Sequence, residues 1–201
     1  MKKNPYPANF TKASLLIPES RIIAGLLLQN PTSAEWKQQV IDVNILQRRT
    51  HNSASTAANL IRSRLNTMDE KLWEFVHKGS QELVTQAVLA VTVKYSPLLG
   101  DYLREVYLRE RKRFAEQLRP SSWNQFIEDC HNRIPDLPIR TESTNAKLKQ
   151  NAFRIMAEAG LIEDTKSMRL RHLILVPKLK QYLLKQKEQY VLQCLLPEGD
   201  Y

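Results

Sequence analysis

One segment near the C-terminal end of the chain constrains the fold most, because its apolar residues recur with the period of an α-helix. Between Thr141 and Gly160 these residues are spaced at i, i+4, i+7, i+8 and i+11, which places them on one stripe of an amphipathic helix. Glycine commonly ends a helix, so Gly160 predicts where this one stops. The stripe consists of Leu148, Ala152, Ile155, Met156 and Ala159.

The opposite face of this predicted helix is polar and provides hydrogen-bond donors. A polar turn over residues 164–167, with Lys166 in it, follows the helix, and the extended run after the turn carries Arg169 and Arg171. A helix followed by a basic β-ribbon is typical of a winged helix, in which the helix enters the major groove of DNA. A solvated polar face is the alternative. The candidate DNA contacts of the helix are Ser143, Lys147, Gln150 and Arg154.

The charge of the chain favours a polyanionic partner. The chain has 201 residues and a formal net charge of +9, which suits one domain or two small ones with a basic surface. No Asp or Glu occurs between Val43 and Met68 or between Thr165 and Lys187, although both blocks contain several Lys or Arg residues. Two acid-free basic blocks favour nucleic acid, and each is also compatible with a solvated surface.

A pair of short helices in the N-terminal half is a second candidate element. Thr32 followed by Glu35 is a capping-box pattern, which predicts the start of a helix that carries Trp36 inward. A second helix is predicted over residues 53–65. The two would form a helix-turn-helix over residues 33–66, with a connector longer than the usual tight turn. The candidate DNA contacts of this pair are Arg48, Arg49, Ser55, Asn59 and Arg62.

Periodic apolar residues predict helices along most of the remaining chain. The stretch 98–117 is dense in charges of both signs, which is typical of an exposed helix with many ion pairs. The expected fold class is all-α, a mostly α-helical globular bundle with a C-terminal winged-helix-like unit that carries a short β-ribbon. The expected domains are an N-terminal helical domain over residues 1–118 and a C-terminal winged-helix-like domain over residues 119–201, which could pack as one globular unit. Further helices are predicted at residues 69–77, 80–95 and 178–195.

The sequence carries no recognisable catalytic or cofactor-binding pattern. Its four histidines are scattered, and it has neither a metal-ligand spacing nor a glycine-rich phosphate-binding motif. Cys130 and Cys194 lack a paired spacing, so both are expected to be small buried residues. We therefore expect no enzyme activity, no metal and no cofactor.

The hydropathy pattern bears on location and assembly. No secretory signal pattern is present, and the most apolar run, Leu83–Val93, is too short to span a bilayer and predicts a buried helix. A cytoplasmic protein without a membrane partner is expected. A monomer is favoured, because neither a heptad seam nor a long exposed apolar stripe is visible.

Several strings together resemble the BrxA family, small core proteins of the BREX phage-defence systems. The resemblance runs from about Ser20 to Leu195 and depends on the order and spacing of the strings, none of which is a catalytic signature. It implies a mostly α-helical protein encoded beside a methyltransferase, a phosphatase-like protein and ATPases, which takes part in discriminating self from phage DNA. The strings are NILQRRTHNSASTAANLIRSRL, WEFVHKGSQELVTQAVLAVTVKYSPLLGDYLREVYLRE, TESTNAKLKQNAFRIMAEAGLIED and EQYVLQCL.

Three functions follow from these observations. The first is a non-enzymatic component of a BREX system that binds double-stranded DNA through the two candidate surfaces. The second is a protein–protein adaptor that scaffolds the methyltransferase or ATPase, since a fold does not fix a function. The third is an RNA-binding factor that uses the same basic surfaces, because the BrxA family that the chain resembles is itself likened to a helical RNA-binding antitermination factor. Few candidate aromatic residues are available for base stacking, which disfavours RNA.

Overall fold

Helices supply nearly all of the regular structure of residues 4–201, which the computed structural model describes. These residues form two compact units. The first unit is residues 15–95, and the second combines residues 4–14 with residues 96–201. The predicted all-α class is confirmed. The predicted division into residues 1–118 and 119–201 stays a prediction.

The unit of residues 15–95 is built from five helices, and the side chains of Thr32, Thr50 and Asp69 cap the starts of three of them. Both Thr32 and Thr50 make a capping box, in which the threonine side chain and the third helical residue satisfy each other's backbone N–H groups. The predicted box of Thr32 with Glu35 is confirmed. The helices are α1 (Ile17–Leu27), α2 (Ser33–Lys37, continued by a π-helical turn Gln38–Asp42), α3 (His51–Leu65), α4 (Glu70–Lys78) and α5 (Gln81–Tyr95).

Helix α5 is largely buried, which confirms the predicted buried helix. From Leu83 to Val93 every residue except Thr85 is buried. Among residues 4–201 no single helix is long and apolar enough to cross a membrane. The pair Gln81–Tyr95 and Pro97–Lys112, which is interrupted at Ser96, satisfies that test by length and composition only when taken together.

The unit of residues 4–14 and 96–201 contains the remaining helices. The single helix predicted over residues 178–195 is wrong, because the chain breaks it at Lys187, which adopts a left-handed φ of 57°. The N–H of Glu188 donates to the carbonyl of Leu183 at this break. The helices are α6 (Pro97–Tyr102), a π-helical turn (Leu103–Tyr107), α7 (Leu108–Lys112), α8 (Ser122–Arg133), α9 (Glu142–Glu158), α10 (Pro177–Lys185) and α11 (Gln189–Leu195).

An aromatic cluster around Trp123 forms the core of this unit. The Trp123 side chain is fully buried, and its ring centroid lies 5.0 Å from Tyr102, 6.1 Å from Phe126 and 6.3 Å from Phe10. Its indole N–H donates to Asn145 Oδ1 on α9 at 3.1 Å. Because a buried indole needs such a partner, Trp123 orients α9 as well as filling the core.

A buried carboxylate ties the N-terminal segment to the same unit. Asp101 accepts hydrogen bonds from Tyr6 Oη at 2.6 Å and Tyr190 Oη at 3.2 Å, and it pairs with Arg104 at 2.9 Å. Burial and then the bond to Asp101 raise the pKa of the Tyr6 phenol. Every one of these partners satisfies a charge that would otherwise be expensive to bury.

The predicted β-ribbon is wrong. The described residues contain no strand, and residues 161–176 contribute only to two isolated antiparallel bridges, Ile162 with Leu170 and Gln117 with Arg169. A tight turn held by a carboxylate occupies the residues between the partners of the first bridge, so too few remain to extend it into a ladder. The predicted winged-helix-like unit with its ribbon is therefore not supported.

Both cysteines behave as the sequence predicts. Cys130 and Cys194 are buried and unpaired. Burial raises the pKa of the Cys194 thiol to about 12, which keeps it protonated at neutral pH. Groups of three or more His, Cys, Asp or Glu side chains able to hold a metal ion are absent from the part of the chain that the structure describes.

Candidate nucleic-acid interface

Helix α9 is positioned by caps at both ends and by its buried stripe. Thr141 caps the first turn by accepting the N–H of Thr144, and Gly160 leaves the helix with a φ of +73°, which confirms the predicted stop. All five predicted stripe residues are buried. The amphipathic helix is therefore confirmed, and its orientation in the unit is fixed by packing.

The outer row of α9 is exposed along its whole length. Ser143, Lys147, Gln150 and Arg154 all face solvent. Arg154 Nε pairs with Glu158 at 2.9 Å, one turn further along the helix. Lys147 has no ion pair with any described residue, so its ammonium group is the unneutralised charge of this row.

The turn after α9 is fixed by one carboxylate. Asp164 Oδ1 accepts the backbone N–H groups of Lys166 at 2.6 Å and Ser167 at 2.8 Å. These backbone bonds, that of Ser167 first, lower the pKa of the Asp164 carboxyl. The turn is therefore well defined at neutral pH, and it leaves the Lys166 side chain exposed.

Two arginines after the turn share a single acidic partner. Glu163 lies 3.2 Å from Arg171 Nη2 and 3.9 Å from Arg169 Nη1. The bridge between Ile162 and Leu170 places these side chains together. Both arginine side chains remain exposed, Arg169 at 72% and Arg171 at 58%. Their pairing with Glu163 is therefore a surface interaction, which water and salt weaken.

The candidate contact residues on α9, in the turn and directly after it are all exposed, and we refer to them together as the α9–turn surface. Its cations outnumber the two carboxylates that touch them, Glu158 and Glu163. Such a set can hold a polyanion through phosphate contacts and can offer donors to base edges. The α9–turn surface consists of Ser143, Lys147, Gln150, Arg154, Lys166, Arg169 and Arg171.

The second predicted contact region lies in the other unit, and most of its side chains already have partners there. Arg48 pairs with Glu19 at 2.6 Å, and the Arg62 guanidinium lies 4.6 Å from the centre of the Trp36 ring. A bond of 3.2 Å joins the side chains of the two polar members, Ser55 and Asn59. Arg49 is exposed. A DNA contact by this region, and its helix-turn-helix, stay predictions.

Sequence reasoning missed one candidate surface, a groove of about 820 Å³ along α7 and the C-terminal residues. The charge-dense stretch was expected to form ion pairs, and it does, for example between Arg104 and Asp101. The only local signal for a groove was Phe114, an aromatic residue at the end of a run of charged side chains.

Comparisons with other proteins give a consistent family. The sequence profile of the family described as BrxA matches residues 4–187. The chain is 40% identical to the BREX protein BrxA of Paramagnetospirillum magneticum over 97% of this chain and 98% of that one. It is 33% identical to the BREX protein BrxA of Escherichia coli O9:H4, over 90% and 85%. The crystal structure of an uncharacterized protein from Magnetospirillum magneticum superposes with a TM-score of 0.86 at 40% identity, covering 94% and 97%.

Proposed function

This chain belongs to the BrxA family, and we propose that it is a non-enzymatic component of a BREX phage-defence system that binds double-stranded DNA. The α9–turn surface makes the contact. The observation that carries the proposal is the exposure of its cations on a helix and turn whose backbones are held by packing and caps. Because the backbone is already ordered, binding a phosphate backbone has to order only the exposed side chains.

The residues of the α9–turn surface divide by the kind of contact they suit. Lys147 and Lys166 have no ion pair among the described residues, although Lys166 lies near Asp164, and their ammonium groups act as point charges toward phosphates. Gln150 and Ser143 provide neutral donors and acceptors that can address base edges. Arg169 and Arg171 must share their charge between the DNA and Glu163. The surface therefore combines a non-specific ionic part with a smaller part capable of base readout.

If the α9–turn surface binds DNA, the carboxylate of Glu163 lowers the affinity for the duplex. Changing Glu163 to Gln removes the carboxylate that faces Arg169 and Arg171, so we expect a duplex to bind about threefold more tightly at low salt. The measurement is fluorescence anisotropy with a labelled duplex of about two helical turns. The matched control is Glu128→Gln, which makes the same change of net charge on an exposed residue of α8. Equal affinities for the two variants would count against the assigned surface.

The adaptor hypothesis predicts a different pattern. If the basic surface binds the methyltransferase or ATPase, charge reversal at Arg169 and Arg171 abolishes co-purification with those proteins and leaves duplex affinity unchanged. If the surface binds DNA, the same variant loses duplex affinity and still co-purifies with those proteins. The RNA alternative is tested by competition in the same anisotropy assay, with structured RNA, single strands and unlabelled duplex as competitors of the labelled duplex. It requires structured RNA to displace the labelled duplex at a lower concentration than unlabelled duplex does.

A further inference from the structure

The C-terminal groove has an apolar floor and a cationic rim. Leucines at positions 108, 173, 195 and 196 line the floor, in a cavity of about 820 Å³. This volume lies within the range of clefts that bury a small-molecule ligand, so it has room for apolar side chains of a peptide. The rim carries four cations and one carboxylate, so it is positively charged. The rim residues are Arg104, Arg109, Arg111, Lys112 and Glu198.

The rim cations differ in how far they are neutralised. Arg104 pairs with Asp101 at 2.9 Å, and Arg109 lies 3.6 Å from Glu110. Arg111 contacts the imidazole of His172 rather than a carboxylate. Lys112 makes no ion pair with any residue in the described part of the chain. The part of the rim nearest the end of α7 is therefore the part whose charge is available to an acidic ligand.

Phe114 stands beside this charge in an arrangement that folding does not explain. Its side chain is 92% exposed, and its backbone has a φ of 57°. It occupies the position after the C-cap of α7, where its N–H donates to Arg111 and that of Ala115 donates to Glu110. Glycine suits this position, because a side chain in the left-handed region is destabilising. Neither burial nor backbone preference favours phenylalanine here.

We propose that this groove is a docking site for an acidic amphipathic segment of a partner protein. Large apolar side chains of the segment enter between Phe114 and the leucine floor, and its Asp or Glu side chains pair with Arg111 and Lys112. Charge complementarity selects an acidic ligand. The four leucines suit the apolar side chains of such a segment. Aromatic lining residues such as Phe114 would also stack on nucleic-acid bases, so an oligonucleotide is included as a competitor in the test. This inference is independent of DNA binding.

The groove lies beside the α9–turn surface within the same unit. Tyr107, in the groove wall, donates its hydroxyl to the carbonyl of Arg171 at 2.6 Å. His172 in the wall is the next residue along the chain. A partner seated in the groove would therefore be held close to the proposed DNA contact without using any of its side chains.

The test uses the full chain and a defined probe. The probe is a fluorescein-labelled 16-residue peptide with Leu and Phe on one helical face and Asp and Glu on the other. Its matched control has Asn and Gln in place of every acid. We expect saturable binding of the acidic peptide below about 100 µM, and binding at least about tenfold weaker for the control peptide, as charge pairing requires.

The decisive variant is Phe114→Gly, because docking and folding predict opposite effects for it. We expect it to weaken peptide binding at least about tenfold. We also expect it to raise the Tm by about 2–4 °C, since glycine relieves the left-handed backbone and no buried contact is lost. Ile139→Ala, which removes a side chain that is 91% exposed elsewhere in the unit, should leave peptide binding unchanged.

Several outcomes overturn the proposal. It is wrong if the acidic peptide shows no binding, if both peptides bind equally, or if Phe114→Gly retains full affinity. The proposal is also wrong if Phe114→Gly lowers the Tm, because the phenylalanine ring is then needed for folding and its exposure no longer points to a partner. Displacement of the peptide by a single-stranded oligonucleotide at lower concentration than by unlabelled peptide assigns the groove to nucleic acid instead.

Discussion

A variant in which Lys147 and Lys166 are both changed to glutamate is expected to bind duplex DNA at least about 100-fold more weakly than the unmodified chain. These are the cations of the α9–turn surface that have no ion pair among the described residues. Lys166 interacts with the nearby Asp164 carboxylate without forming an ion pair with it, so both ammonium groups can reach phosphates. Reversal removes two contacts and places two carboxylates against the DNA backbone. A 100-fold loss corresponds to about 2.7 kcal/mol.

The control for this variant makes the same change of net charge at two lysines elsewhere in the chain. Lys12 and Lys78 are exposed and lie outside both candidate surfaces. Changing both to glutamate gives the same net charge and should lower duplex affinity by less than about threefold, because only long-range electrostatics is altered. Circular dichroism of both variants checks that α9 remains folded. If both double variants lose the same amount of duplex affinity, the loss is a general effect of net charge and the proposed contact is wrong.

The second large effect concerns the fold. Changing Trp123 to Ala is expected to lower the free energy of unfolding by about 3–5 kcal/mol, because it leaves a large cavity in the aromatic cluster. It also removes the partner of Asn145 Oδ1 on α9. Urea unfolding followed by circular dichroism measures the change.

Ile139→Ala is the comparison for this stability measurement, since its exposed side chain contributes within about 0.5 kcal/mol. If Trp123→Ala unfolds at the same urea concentration as the unmodified chain, the cluster does not organise the unit. If the Trp123→Ala variant is still largely folded but binds the duplex less tightly, the hydrogen bond from the Trp123 indole to Asn145 is needed to orient α9.

The sequence was sufficient for features that depend on neighbouring residues. The stripe of α9, its end at Gly160 and the box at Thr32 depend on spacings of a few residues, and the structure confirms them. The buried run from Leu83 to Val93 is of the same kind. Local periodicity and capping act over one or two turns, so a single sequence contains the information.

Features that depend on distant residues were not predictable. The partner of Arg48 is Glu19, 29 positions away, so an arginine in an acid-free block is nevertheless paired. The β-ribbon failed because Gly160, where α9 stops, lies two residues before Ile162 and the turn held by Asp164 begins two residues after it, which leaves no room for a strand. The C-terminal groove combines α7 with residues about 60 to 90 positions further along, a juxtaposition that no local pattern contains.

Duplex affinity as a function of salt concentration tests the central proposal most directly. If the α9–turn surface and its neighbouring cations neutralise roughly six phosphates, the logarithm of the association constant falls with the logarithm of salt with a slope of about −5. The Lys147→Glu, Lys166→Glu variant should reduce that slope by about 2. A slope near zero, or no binding of duplex DNA at micromolar protein in low salt, would contradict the account.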